Sequence, residues 1–312
     1  MAKVMHMQQT LPASVSEVFN ALTNNDALQQ WFAEHTAVSI EDGRYDFWGQ
    51  YTPETPNDAE GRHELQIAQT GSRLRFTWLL RGTDTTVDIR LTERNDKTIL
   101  GLWHYDIPSI PQAEPDCYSM GDVWCLWLDN LRRYLEGRPV TRLDFSTSRM
   151  GNLSTTIEID GSAADVWGVL TDPSQRNRWI TNDANEEPSV GASWVDWGEH
   201  GGLEVLKIVA EKELSLGWKI GGEDTVVTWT LEESGSQTRL TLSHSGFAPN
   251  RHSDGEWGGW MSFLAWIKSM VEMGSDWLPP VTELTKKTLL FYSAVIVAQQ
   301  DTLLGDSDDE WR

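Results

Sequence analysis

Two stretches of the chain open in nearly the same way: Ser14–Asn24 reads SVSEVFNALTN and Ser162–Asp172 reads SAADVWGVLTD. In each, a serine is followed three residues on by an acid, Glu17 or Asp165. That is the pattern of a capping box, in which hydroxyl and carboxylate satisfy the first free N–H groups of a helix. Behind each cap the apolar residues share one helical face: Val18, Phe19 and Leu22 in the first stretch, Val166, Trp167 and Leu170 in the second. The same offset carries Trp31 onto Trp179 and Gly43 onto Gly191, so the repeat is not confined to one helix.

Further along, a shorter offset places Leu74, Phe76 and Trp78 on Leu214, Leu216 and Trp218, and Thr98, Leu100, Leu102 and His104 on Thr238, Leu240, Leu242 and His244. The residues lost between the two registers come out of a loop. GQYTPETPNDAEG at 49–61 has the proline, glycine and acid content of a surface connection, where the second copy has GEHGG at 198–202. Near the end, Trp124, Trp127 and Leu131 fall on Trp257, Trp260 and Leu264. A length of 312 residues suits two such domains.

From Gly43 to His104 apolar residues alternate with polar ones, as in RLRFTW, VDIRL and TILGLWH, which predicts antiparallel strands with one covered face. Each copy then closes with a long amphipathic helix. Met120, Val123, Trp124, Trp127 and Leu131 share a face in the first; Trp257, Trp260, Leu264, Ile267 and Val271 do so in the second, with Ser253-x-x-Glu256 as its expected cap. The boundaries that follow are 1–138 and 152–276 for the two domains, 139–151 for a linker, and 277–312 for an extension ending in the acidic GDSDDEWR. Pro280 favours one more helix in that extension, with a strand as the alternative that its Thr, Val, Ile and Tyr content supports; its all-round apolarity suits burial in a homodimer or against a protein partner.

The formal net charge of −22 opposes binding to nucleic acid and to anionic membranes. The longest apolar run, LLFYSAVIVA from Leu289, is shorter than the roughly 18 residues of a membrane span, and the N-terminus lacks a signal-peptide pattern, so the expected location is the cytoplasm. Cys117 and Cys125 form neither a zinc motif nor a disulfide framework. No phosphate loop, nucleophile elbow or His-Glu-x-x-His occurs, so neither cofactor nor metal is expected. Seventeen tryptophans are an unusual load, suited equally to filling a core and to lining a ligand cavity.

Phe19-x-x-Leu-Thr with Trp31-Phe32, Gly43-x-Tyr-x-Phe47, Leu74-x-Phe-x-Trp78, Thr98-x-Leu-x-Leu-x-His104 and Trp127-x-x-x-Leu131 resemble the SRPBCC (START-like, Bet v 1-like) superfamily, in its branch related to the heat-shock protein 90 ATPase activator. The second copy matches through Trp167-x-x-Leu-Thr-Asp-Pro173, Trp179, Leu214-x-Leu-x-Trp218, the run from Thr238 and Trp260-x-x-x-Leu264. The resemblance implies an α+β class with two tandem helix-grip domains, each a curved antiparallel sheet wrapped around a long C-terminal helix with an apolar cavity between. It also implies several chemistries on one fold: lipid carriers, polyketide cyclases and co-chaperones. Co-chaperones of the branch have a separate chaperone-binding domain ahead of this one, whereas here the first strand follows Met1 closely.

Strand parity points Leu74, Phe76 and Trp78, with Leu100, Leu102 and His104 and their counterparts, into the grip. The candidate ligand-binding residues are therefore Trp31, Phe76, Trp78, Leu102, His104, Trp124 and Trp127 in the first copy, and Trp179, Trp218, Trp229, His244, Trp257 and Trp260 in the second. His104 and His244 are the polar candidates, each also suited to a purely structural role. Glu34, His35 and Asp42, like Asp183, Glu186 and Glu187, fall in loops near the expected mouths. Trp229 stands where the first copy has Ile89, and with Trp194 and Trp197 it predicts a smaller second cavity. The function these residues favour is binding of a small hydrophobic molecule, aromatic or lipid-like, without a cofactor. The alternatives are a co-chaperone-like or scaffolding module, and a cyclase or hydrolase using a cavity histidine.

Overall fold

The alternating segments are strands and the one-sided segments helices, in the same order twice over. The structure, a computed structural model, describes residues 4–108, 119–181, 183–197 and 201–283. In the first copy β1 (Val4–Leu11) leads into α1 (Val15–Thr23) and α2 (Asn25–Trp31), then the hairpin β2 (His35–Ser39) and β3 (Arg44–Trp48). The strands β4 (Leu65–Gln69), β5 (Arg73–Leu80), β6 (Thr83–Arg94) and β7 (Lys97–Tyr105) follow, and α3 (Met120–Leu135) closes the copy. The second copy runs β8 (Leu153–Asp160), α4 (Ala163–Thr171), α5 (Pro173–Arg176), β9 (Ser193–Asp196), β10 (Gly202–Val209), β11 (Glu213–Ile220), β12 (Glu223–Ser234), β13 (Gln237–Ser245) and α6 (Asp254–Met273). The class is α+β, with two tandem helix-grip domains.

The strands are ordered β1–β7–β6–β5–β4 in the first copy and β8–β13–β12–β11–β10–β9 in the second, every pair antiparallel. Even the irregularities repeat. A register shift lies between Leu65 and Ile67 in β4 and between Val205 and Lys207 in β10. The two capping boxes form as the sequence predicts, each serine accepting from the backbone N–H of its acid and each acid accepting from the serine's N–H.

Two compact units result: Met1–Met150 with Arg251–Ala265, and Gly151–Asn250 with Trp266–Arg312. The helix α6 thus contributes its first half to one unit and its second half to the other. In the first unit the segment 139–150 is not a free linker. Asn130 accepts from the Thr141 N–H at 2.9 Å and donates to the Thr141 carbonyl at 2.7 Å, Leu143 is buried, and the Phe145 N–H donates to the Gln50 carbonyl at 2.7 Å. At the start of α6, Asp254 accepts from the Arg149 N–H at 3.0 Å and from the Ser148 hydroxyl at 3.1 Å. In the second unit, Glu272 of α6 accepts from the Asp160 N–H at 3.0 Å.

Three sequence expectations are corrected. The 49–61 segment is only partly a surface loop: Thr52 and Thr55 are buried, their hydroxyls 2.6 Å apart, and the Gly49 N–H donates to the Thr55 carbonyl at 2.8 Å. Ser253 does not cap α6, because its buried hydroxyl makes no hydrogen bond while Glu256 accepts from Arg251 at 2.6 Å instead of turning back. After Pro280, Val281–Glu283 form a short strand in place of a helix turn. The rest of the extension from residue 284, like Cys117 and residues 198–200 of the second-copy loop, lies outside the described residues. Cys125 of α3 is a free thiol, fully buried. None of the described helices is long and apolar enough to cross a membrane.

Candidate functional site

Strand parity held for the residues expected to face the grip: Leu74, Phe76, Trp78, Leu100, Leu102 and His104 are all buried, with Trp78, Leu102 and His104 at 0 % exposure. None of the thirteen candidate residues is more than 6 % exposed. What differs among them is how each polar atom is used.

Trp31 and Trp179 are braces. Their indole N–H groups donate to the Ala21 and Val169 carbonyls at 2.9 and 3.1 Å, tying the end of α2 to α1 and the turn after α5 to α4. Tyr45 and Trp194 do the same to the Leu22 and Leu170 carbonyls at 2.7 and 3.0 Å, one with a phenol and one with an indole. Burial raises the Tyr45 phenol pKa far above its ordinary value, so the hydroxyl keeps its proton for that bond.

His104 is committed as well. The Trp124 indole, which can only donate, gives its N–H to His104 Nδ1 at 3.1 Å, so a neutral His104 carries its proton on Nε2. Nε2 then donates to the Thr85 hydroxyl at 2.9 Å, and that hydroxyl donates to the Trp78 carbonyl at 2.6 Å. Burial lowers the His104 pKa to about 3, which keeps the ring neutral at physiological pH. The second copy repeats the chain: His244 Nε2 lies 2.8 Å from the Thr225 hydroxyl, which donates to the Trp218 carbonyl at 2.7 Å. The imidazole that strand parity offers as the polar group of an expected cavity therefore has both nitrogens occupied within the protein. Its partners are a hydroxyl and an indole, not the acid a general base would need.

Two buried polar atoms without partners lie across the sheet from His104, one on β5 and one just ahead of β4. His63 is 4 % exposed, and its Nε2 has no hydrogen-bond partner; the Nε1 of the fully buried Trp78 has none either. Burial lowers the His63 pKa to about 3, so this ring too is neutral. The backbone of β3 positions His63: the Tyr45 N–H donates to the His63 carbonyl at 3.0 Å, and the His63 N–H donates to Asp46 Oδ1 at 3.1 Å. Gly61 allows this close approach, since a Cβ there would meet the Phe47 carbonyl oxygen at 2.4 Å.

Around the pair the interior is aromatic. Phe47 lies 4.2 Å from His63 and meets Trp78 edge-on at 5.1 Å. Trp78 stacks on His104 and on Trp127, both at 5.8 Å, and His63 stands 6.3 Å from Trp78. Trp124 meets Trp127 edge-on at 5.1 Å. Outside this cluster, two surface grooves of about 460 and 550 Å³ share Trp48 and Asp58; one includes Arg44 and Arg62, the other Glu34 and His35. So Glu34 and His35 do line a groove near the hairpin, though Glu34 is also held by Gln50, whose N–H donates to it at 2.9 Å.

In the second copy Trp229 meets Trp179 edge-on at 6.4 Å, and Trp197 meets Trp218 at 5.3 Å, so the extra indoles add to the packing there. Trp260 lies 5.9 Å from Phe263, and Trp257 packs under the Arg149 guanidinium at 3.4 Å and near Phe145, within the first compact unit. Among the described residues no group of three or more His, Cys, Asp or Glu side chains is placed to hold a metal. His63 is the residue that sequence reasoning missed. The shorter offset, run back from Leu65 and Val205, would have found it opposite Leu203, where the two copies differ in polarity.

A family model described as activator of Hsp90 ATPase homolog 1-like protein matches residues 12–136 and again residues 160–272. No curated protein matches the chain. Among solved structures, DynU16, a protein of the dynemicin biosynthetic locus, is 22% identical over 86% of this chain and 96% of its own, with a TM-score of 0.34. CalU16 from Micromonospora echinospora is 24% identical over 43% and 76%, with a TM-score of 0.34. The Aha1 dimer from Colwellia psychrerythraea is 24% identical over 40% and 99%, with a TM-score of 0.36.

Proposed function

Because this chain belongs to the activator of Hsp90 ATPase homolog 1-like family, in two consecutive copies, we propose that it takes up a small apolar molecule inside the grip of its first copy. The observation that carries the proposal is the pair of buried polar atoms, His63 Nε2 and Trp78 Nε1, left without partners in an otherwise aromatic interior. A buried polar atom without a hydrogen bond costs about 1–3 kcal/mol, and such atoms in a folded protein call for a specific reason. A bound molecule supplies one: it completes the hydrogen bonds while its skeleton packs among Phe47, Trp78, Trp124 and Trp127. Affinity then comes from apolar area removed from water, at about 25 cal/mol per Å², with the polar pair fixing orientation.

Catalysis by a cavity histidine is the weaker reading, since His104 is held by Thr85 and Trp124. The test is a titration of the intact protein with lipids and with aromatic compounds, followed by tryptophan fluorescence and native mass spectrometry. Saturable quenching with a one-to-one complex is expected for members of at least one class. No saturable quenching and no complex with any of them would refute the proposal.

A further inference from the structure

Building on uptake into the first copy, we infer that the molecule it selects is neutral and sets a hydroxyl oxygen between the Trp78 indole N–H and His63 Nε2, and that the second copy makes no such selection. An indole N–H only donates, so the ligand atom facing Trp78 must accept. A neutral imidazole nitrogen accepts in one tautomer and donates in the other, and a hydroxyl can answer both. The two rings are neighbours, meeting edge-on with their centroids 6.3 Å apart. Burial keeps His63 uncharged, and the rings packed on the pair, Phe47, Trp127 and His104, are uncharged too.

The second copy serves as an internal comparison. Leu203 pairs directly with Trp218 across β10 and β11. The same register shift in β4 and β10 aligns Leu203 with His63, so a fully buried hydrocarbon stands where the first copy has an imidazole. Two grips with the same His–Thr–Trp chain thus differ at the position that would read a polar substituent.

Three probes with the same ring separate the possibilities: 2-naphthol, naphthalene and 2-naphthoate, each titrated by calorimetry and native mass spectrometry into the full-length protein, H63L and W78F. The wild type is expected to bind 2-naphthol about tenfold more tightly than naphthalene, the ratio one well-placed hydrogen bond gives, and to bind 2-naphthoate weakest. In either variant the naphthol-to-naphthalene affinity ratio is expected to fall to about one, whatever the change in naphthalene affinity itself; near-ultraviolet circular dichroism identifies whichever variant has kept its packing. Equal naphthol and naphthalene affinity in the wild type, a preference for naphthoate, or an advantage that survives in a folded variant overturns the inference and leaves apolar uptake standing. Binding of none of the three overturns the inference, and apolar uptake then stands or falls on the titration with lipids and other aromatic compounds.

Discussion

His63 and His104 are both buried and both neutral, yet one is fully hydrogen-bonded and the other is not. Their lowered pKa values have a direct thermodynamic consequence. A folded imidazole with a pKa near 3 stays uncharged where the unfolded chain, at about 6.5, takes up a proton. The stability each ring confers is therefore complete above pH 6.5 and is lost as the pH falls toward 3, by up to about 1.4 kcal/mol per unit. Replacing His63 with the leucine of the second copy removes one such proton. Urea denaturation at pH 7 and pH 4.5 is expected to show that H63L loses about 2–3 kcal/mol less than the wild type over that interval. Equal losses would mean that His63 is not held neutral in the folded protein. His104 was legible in the sequence because it sits on a strand whose alternation assigns every side chain a face. His63 was not, because it lies just ahead of β4, after the inserted segment at which one repeat register gives way to the other.

At the level of single elements, the caps separate what sequence patterns deliver from what they only suggest. Ser14 and Ser162 each complete a capping box, whereas Ser253, with an acid at the same spacing, makes no side-chain hydrogen bond. Thermal and chemical denaturation are expected to show S14A and S162A destabilised by about 1 kcal/mol each, and S253A within about 0.5 kcal/mol of the wild type. A loss at S253A as large as at the other two would restore it as a cap. The spacing alone was ambiguous because Asp254 and Glu256 had other partners in reach: Ser148 and Arg149 for one, Arg251 for the other. Similarly, the composition of residues 49–61 signalled an exposed loop, but Thr52 and Thr55 satisfy each other and can be buried. Helices, strands and their order needed only periodicity; the partners of individual polar groups needed the fold.

For the whole molecule, the repeat in the sequence and the units in space are not divided at the same residues. Residues 251–265 belong to the second copy by sequence and to the first unit by packing, where the Ser262 hydroxyl donates to the Asp122 carbonyl at 2.7 Å and Asp254 holds Arg149. A fragment of residues 1–150 lacks those contacts. Hydrogen exchange is expected to show β5–β7 less protected in the fragment than in the full chain, and equal protection would show that residues 251–265 contribute nothing to that stability. The buried thiol of α3 offers a view of the same event in the intact chain. Burial pushes the Cys125 pKa well above its usual value, aided by Asp122 and Asp129, so it stays an inert thiol while the helix is seated. An alkylating reagent can then capture Cys125 only in moments when α3 swings free, and in a chain whose Cys117 is replaced by serine the pace of that capture becomes a clock for how often the first grip lets go.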